Sequence, residues 1–62
     1  MDLRKYLIEQ GIEPIEFALM MNISMTTLYR YLSKRGRPTY ATAKLIEKFT
    51  KGKVTVKELR NE

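Results

Sequence analysis

Apolar residues recur along this chain in short helical pulses, each cut off by a residue suited to starting or stopping a helix. Leu3, Tyr6, Leu7 and Gln10 mark one face at 3.6-residue spacing, which predicts a first helix running to about Gln10. Asp2 can cap its start, and Gly11 ends it, since glycine takes the left-handed conformation without steric cost. Pro14 suits the first position of a second helix, where its missing N–H would go unpaired anyway. Glu13 and Glu16 place negative charge at the positive end of that helix, and Phe17, Ala18 and Met21 form its apolar face. Asn22, which tolerates the left-handed region better than most residues, is expected to stop it.

Ser24 is then a good N-cap for a third helix from Met25 to about Ser33. Leu28, Tyr31 and Leu32 fall on its core side; Met25, Thr26, Tyr29, Arg30 and Ser33 fall on the other. Gly36 and Pro38 break the chain again. Thr39 can cap a fourth helix to about Thr50, whose buried side is expected to hold Thr42, Leu45, Ile46 and Phe49. After the Lys51–Gly52 turn, Thr55-Val56-Lys57-Glu58 has the form of a capping box and predicts a short last helix through Arg60. A strand at Lys53 to Val56 competes there, because Val54, Thr55 and Val56 are β-branched. The expected fold is all-α: four to five helices in a single domain over residues 1–62. A chain this short buries only about 60% of its unfolded surface, so its core must be thin.

Charge sharpens this picture. The net charge is +5, and all of it belongs to the middle of the chain. From Phe17 to Ile46 there is no acid, while Arg30, Lys34, Arg35, Arg37 and Lys44 are basic; in the flanks, seven basic residues balance seven acids. Segregation of this kind is the electrostatic footprint of a polyanion binder.

The stretch from Pro14 to Ser33 reads as helix, tight turn, helix. Two helices crossing steeply need a small residue at the crossing, which Ala18 supplies. The turn needs a left-handed residue, Asn22, and an apolar residue to plug the corner, Ile23; the second helix needs Leu28 and Tyr31 facing inward. The ordered set Phe17-Ala18, Met21-Asn22-Ile23-Ser24, Leu28 and Tyr31 resembles the helix-turn-helix of the lambda repressor/Cro-like family. Arg35-Gly36-Arg37-Pro38 resembles that family's basic turn before its fourth helix, and Gly52-Lys53-Val54-Thr55 with Leu59-Arg60 is similar to the end of small Cro-like YdaS regulators. The resemblance covers about Leu3 to Arg60. It departs at Asn22, where glycine is usual, and at Pro14, where many members carry a glutamine that bonds a phosphate; free N–H groups at that helix start could still meet one.

The resemblance implies a compact Cro/repressor-like DNA-binding regulator of bacterial or phage type, with the third helix in the major groove of double-stranded DNA. It places Met25, Thr26 and Arg30 at base edges, with Tyr29 and Ser33 beside them. The chemistry agrees: an arginine can donate twice to guanine O6 and N7, and threonine or methionine can touch a thymine methyl. Ser24 and the adjacent N–H groups suit a phosphate, as do Lys34, Arg35 and Arg37, which position the protein without reading sequence. Tyr29 has a second reading, packing against Tyr40. A homodimer on two half-sites is expected, with its contact around Phe49, Val54, Val56 and Leu59.

Other classes fit less well. The chain has no histidine and no cysteine, so the commonest general base, the thiol nucleophile and Cys/His metal ligation are missing. Its carboxylates sit where helix capping explains them, there is no Gly-rich phosphate loop, and no cofactor is implied. Exposed aromatic pairs for stacking single-stranded nucleic acid are not evident. No apolar run is long enough for a signal peptide or membrane span, which points to a cytoplasmic protein. The serious rival is a protein-binding module, an antitoxin or anti-regulator on the same fold. Such a module should present an apolar face on the third helix, whereas this one presents Thr26, Tyr29, Arg30 and Ser33.

Overall fold

The computed structural model describes residues 1–62, and five helices account for most of them: α1 (Leu3–Gln10), α2 (Pro14–Met21), α3 (Met25–Leu32), α4 (Tyr40–Phe49) and α5 (Val56–Arg60). Four of the five start where a short polar side chain can replace a missing backbone partner. Asp2, Ser24, Thr39 and Thr55 accept the N–H groups of Arg4, Thr27, Thr42 and Glu58. Thr55 and Glu58 form the expected capping box. Val56 N–H is bonded by Glu47 Oε2 at 3.0 Å, which ties the start of α5 to α4. The competing strand does not form. Lys53 and Val54 lie in a bend that drops Val54 into the core, 1% exposed.

The five helices also end alike. Gly11, Asn22, Lys34, Lys51 and Asn61 all take the left-handed conformation, with φ between 56° and 67°. In each case the next N–H reaches back to a carbonyl five residues earlier: Ile12 to Leu7, Ile23 to Ala18, Arg35 to Arg30, Gly52 to Glu47 and Glu62 to Lys57, at 2.8–3.0 Å. This closure satisfies carbonyls that the helix itself leaves open. Asparagine and glycine suit it; lysine does so only against steric resistance.

The core is built from Leu3, Tyr6 and Leu7 of α1, Phe17 and Ala18 of α2, Leu28 and Leu32 of α3, Ile46 of α4 and Val54. Phe17, Leu28 and Ile46 are wholly buried, and Phe17 meets Phe49 edge to face at 5.7 Å. Ala18, 3% exposed, lies where α2 packs on α3, and Ile23 leans on the core from the corner between them. Gln10, on the predicted inner face of α1, is exposed.

α4 turns differently from the pattern expected. Leu45 is 58% exposed; the inward residues are Ala43, Ile46 and Thr50, with Thr42 and Phe49 half-buried. The apolar count along α4 misled because a threonine sits inside. Thr50 is 1% exposed because its hydroxyl accepts Val54 N–H at 3.1 Å and lies within bonding distance of the Glu47 and Val54 carbonyls. A buried hydroxyl so engaged carries no desolvation debt, and a hydrophobic pattern cannot register it.

Candidate nucleic-acid interface

α3 is held by Leu28 and Leu32, which leaves Thr26, Tyr29 and Arg30 outward on one side. At 8 residues it spans about 12 Å, close to the width of a B-form major groove. Tyr29 is 54% exposed. Its alternative partner Tyr40 is engaged otherwise, with Lys44 Nζ 5.9 Å from the ring centroid. Met25 is half-buried and packs against the core cluster, so it borders the outward face rather than crowning it.

Two hydroxyls assigned to DNA are already engaged. Ser24 Oγ accepts Thr27 N–H at 3.1 Å and donates to Thr27 Oγ1 at 2.9 Å, so the donor it could offer a phosphate is spent within the cap. The N–H groups of Met25 and Thr26, in the first turn of α3, have no intrahelical acceptor. Ser33 is the C-cap rather than the last helical residue, and its hydroxyl donates to the Tyr29 carbonyl at 2.8 Å. An acceptor lone pair is what Ser33 retains for a ligand.

Beyond α3, Lys34, Arg35 and Arg37 are all exposed on the turn to α4. The three ion pairs of the structure are Met1–Glu58, Lys44–Glu47 and Arg60–Glu62; none involves Arg30, Lys34, Arg35 or Arg37. Four cations within eight residues therefore lack a carboxylate partner. The turn that carries them is fixed at both ends. At its start the Arg30 carbonyl accepts the N–H groups of Arg35 and Gly36, at 2.9 and 3.2 Å. At its end Pro38 is buried, and its carbonyl accepts Arg60 Nη1 at 2.8 Å.

Gly36 and Arg60 are positioning residues that the sequence did not reveal. Arg60 reads locally as a charge at a helix end, and only the contact 22 residues away gives it a role. Gly36 reads as a chain break, yet its φ is not among the positive values. Its missing side chain instead makes room for Arg30.

The start of α2 differs from expectation. Glu13 N–H is bonded by Glu16 Oε1 at 3.2 Å, and Glu13 and Glu16 together form a capping box there. Two carboxylates thus stand at the end of α2 where an anion would otherwise dock. Of the residues expected at a dimer contact, only Val54 is fully buried within the single chain. Val54 lies in the core, Phe49 packs on Phe17, Leu59 packs against the core and Val56 is half-buried. The exposed apolar residues are elsewhere, among them Ile8, Ile15, Leu19, Met20 and Leu45. No helix is long and apolar enough to cross a membrane.

Comparison with known proteins bears on the fold. A helix-turn-helix family model of the lambda repressor/Cro-like type matches residues 3–59, which spans all but the last residue of the five helices. No curated protein and no solved structure matches the chain. Members of the matched family are DNA-binding regulators rather than enzymes. With its motif, its five-helix architecture and a match over nearly its whole length, the chain belongs to the lambda repressor/Cro-like helix-turn-helix family.

Proposed function

We propose that this protein is a sequence-specific transcriptional regulator that sets α3 into the major groove of double-stranded DNA. The observation that carries the reading is the continuous outward surface of α3 and the following turn, polar and cationic with no carboxylate to neutralise it. Arg30 is the principal base reader, bidentate to guanine, with Thr26 and Tyr29 beside it and Met25 and Ser33 at the edges. Lys34, Arg35 and Arg37 follow the phosphate backbone, and the free N–H groups near Ser24 receive another phosphate. With Glu13 and Glu16 closing the start of α2, backbone contacts concentrate on the α3–α4 side.

A protein-docking role for α3 is less well supported, because the exposed aliphatic residues lie on α1, α2 and α4 instead. A single 8-residue reading helix has a small footprint, and a second copy on adjacent DNA enlarges it.

The decisive experiment is duplex-DNA binding at two salt concentrations, comparing the wild type and Arg30→Ala on random DNA and on a sequence selected from a random pool. Affinity should fall steeply with salt, by about 0.9 in log–log slope for each phosphate neutralised. Arg30→Ala should lose mainly the preference for the selected site, about 1–3 kcal/mol. No duplex binding at low salt would refute the reading.

A further inference from the structure

The start of α1, the α3–α4 turn and α5 enclose a cleft of about 230 Å³. Its walls are tied to one another. The Met1 ammonium donates to the Lys53 carbonyl and to Glu58 Oε1, both at 2.7 Å, which joins the start of α1 to α5. Arg60 Nη1 donates to the Pro38 carbonyl at 2.8 Å, which joins α5 to the turn. The cleft is thus shaped before any ligand arrives, which lowers the ordering cost of filling it. Leu3, Val54 and Leu59 supply its apolar lining, beside Tyr31.

Charges of both signs line the cleft, and they differ in what they already hold. Each carboxylate has a partner within the chain. Asp2 accepts Arg4 N–H, Glu58 holds the Met1 ammonium and accepts Thr55 N–H, and Glu62 pairs with Arg60 at 3.4 Å. Lys34, Arg37 and Lys57 line the same cleft and form no ion pair. A cation entering it would meet carboxylates already engaged and three unopposed positive charges. An anion meets the reverse.

We propose that this cleft binds a small organic anion, its head held by Lys34, Arg37 and Lys57 and its apolar body laid on Leu3, Val54 and Leu59. The volume lies below the roughly 300–1,000 Å³ of drug-sized sites, so the body is limited to a few carbons. Lys34 and Arg37 are also the residues assigned to the phosphate backbone. Ligand and DNA therefore draw on the same two cations, and each weakens the other's binding by the same factor. This competition rests on the DNA-binding reading; the binding of the anion does not.

The test is an amide-shift titration of the intact, isotope-labelled chain with hexanoate, and with hexylammonium as a probe of similar size and opposite charge. Hexanoate shifts should saturate in the low-millimolar range and centre on Leu3, Gly36 and Leu59; hexylammonium should not reproduce them. Lys57→Gln, at an exposed residue outside the DNA-facing surface, should weaken hexanoate several-fold and leave duplex affinity without hexanoate unchanged. Saturating hexanoate should weaken duplex binding by the wild type several-fold beyond acetate at the same concentration, and this excess should shrink in Lys57→Gln. Hexanoate shifts that fail to saturate, centre elsewhere, are matched by hexylammonium or keep full affinity in Lys57→Gln overturn the site. Saturable binding in the cleft with duplex affinity unmoved overturns the competition. A chain that binds hexanoate there but no duplex supports the site and refutes the DNA-binding reading.

Discussion

The side chain of Arg30 lies across Gly36: a Cβ added to that glycine would stand 3.3 Å from both Cβ and Nε of the arginine. The backbone at Gly36 is open to any residue, so the glycine answers to its neighbour and not to its own dihedral angles. An added methyl cannot displace Arg30 Cβ and must push the guanidinium arm aside. Gly36→Ala is therefore expected to cost less than about 1 kcal/mol of stability, a shift within roughly 4–8 °C in Tm. It should lower the preference for a selected DNA site several-fold, since bidentate reading tolerates little misplacement. Paired thermal melts and competition binding check both halves.

Lys34 and Lys51 hold equivalent places after α3 and α4, both left-handed, and this allows a controlled comparison. That conformation costs an L-residue about 1 kcal/mol, of which a cation at a helix C-terminus recovers a part. Glycine substitution should raise stability at either position by about 0.5 kcal/mol. Lys51→Gly should leave DNA affinity unchanged. Lys34→Gly should weaken binding on all sequences alike and reduce the salt slope by about 0.9. Urea unfolding and salt-dependent binding on the two variants separate the strain from the contact.

Thr50→Val keeps the shape of the buried side chain and removes its oxygen, leaving Val54 N–H without the acceptor it has at 3.1 Å. The expected loss is about 1–3 kcal/mol, the cost of an unsatisfied buried donor. Thr50→Ser, which keeps the oxygen, should lose less. Urea denaturation of the pair measures the difference; an equal loss in both would show that the methyl, not the hydroxyl, matters there.

The Glu58 carboxyl lies below its ordinary pKa of 4.5, first because it accepts a 2.7 Å hydrogen bond from the Met1 ammonium and then because Thr55 donates to it. A carboxylate whose pKa falls on folding stabilises the fold above its unfolded pKa and loses that contribution as pH drops through the folded value. Glu58→Gln should thus melt below the wild type at neutral pH, with the gap closing as the solution is acidified below the usual glutamate range. Melting curves from neutral to strongly acidic pH follow it.

Much of this fold is legible in the sequence because its punctuation is local. Asp2, Ser24, Thr39 and Thr55 cap helices within three residues of themselves, and Gly11 and Asn22 end helices through their own backbone preference. The outward face of α3 follows from the same period that buries Leu28 and Leu32. What escaped the sequence depends on distant partners. Leu45 looked like core because α4 carries more aliphatic residues than it buries, and the inward place at its end belongs to a threonine satisfied by the chain's return at Val54. Lysine is not a left-handed residue by preference; Lys34 and Lys51 adopt that geometry because Arg35 and Gly52 must close helices behind them. The Arg60–Pro38 bond joins segments that no motif connects.

The unneutralised cations from Arg30 to Arg37 bear on more than DNA. With only 12 of 62 residues buried, the free protein has little cohesion to set against the mutual repulsion of that surface. Added salt screens the repulsion within a Debye length and so should firm the free fold, while the same ions compete with phosphates and loosen the complex. Stability and affinity should then respond to ionic strength in opposite directions, and a polyanion bound to that surface should stabilise the fold.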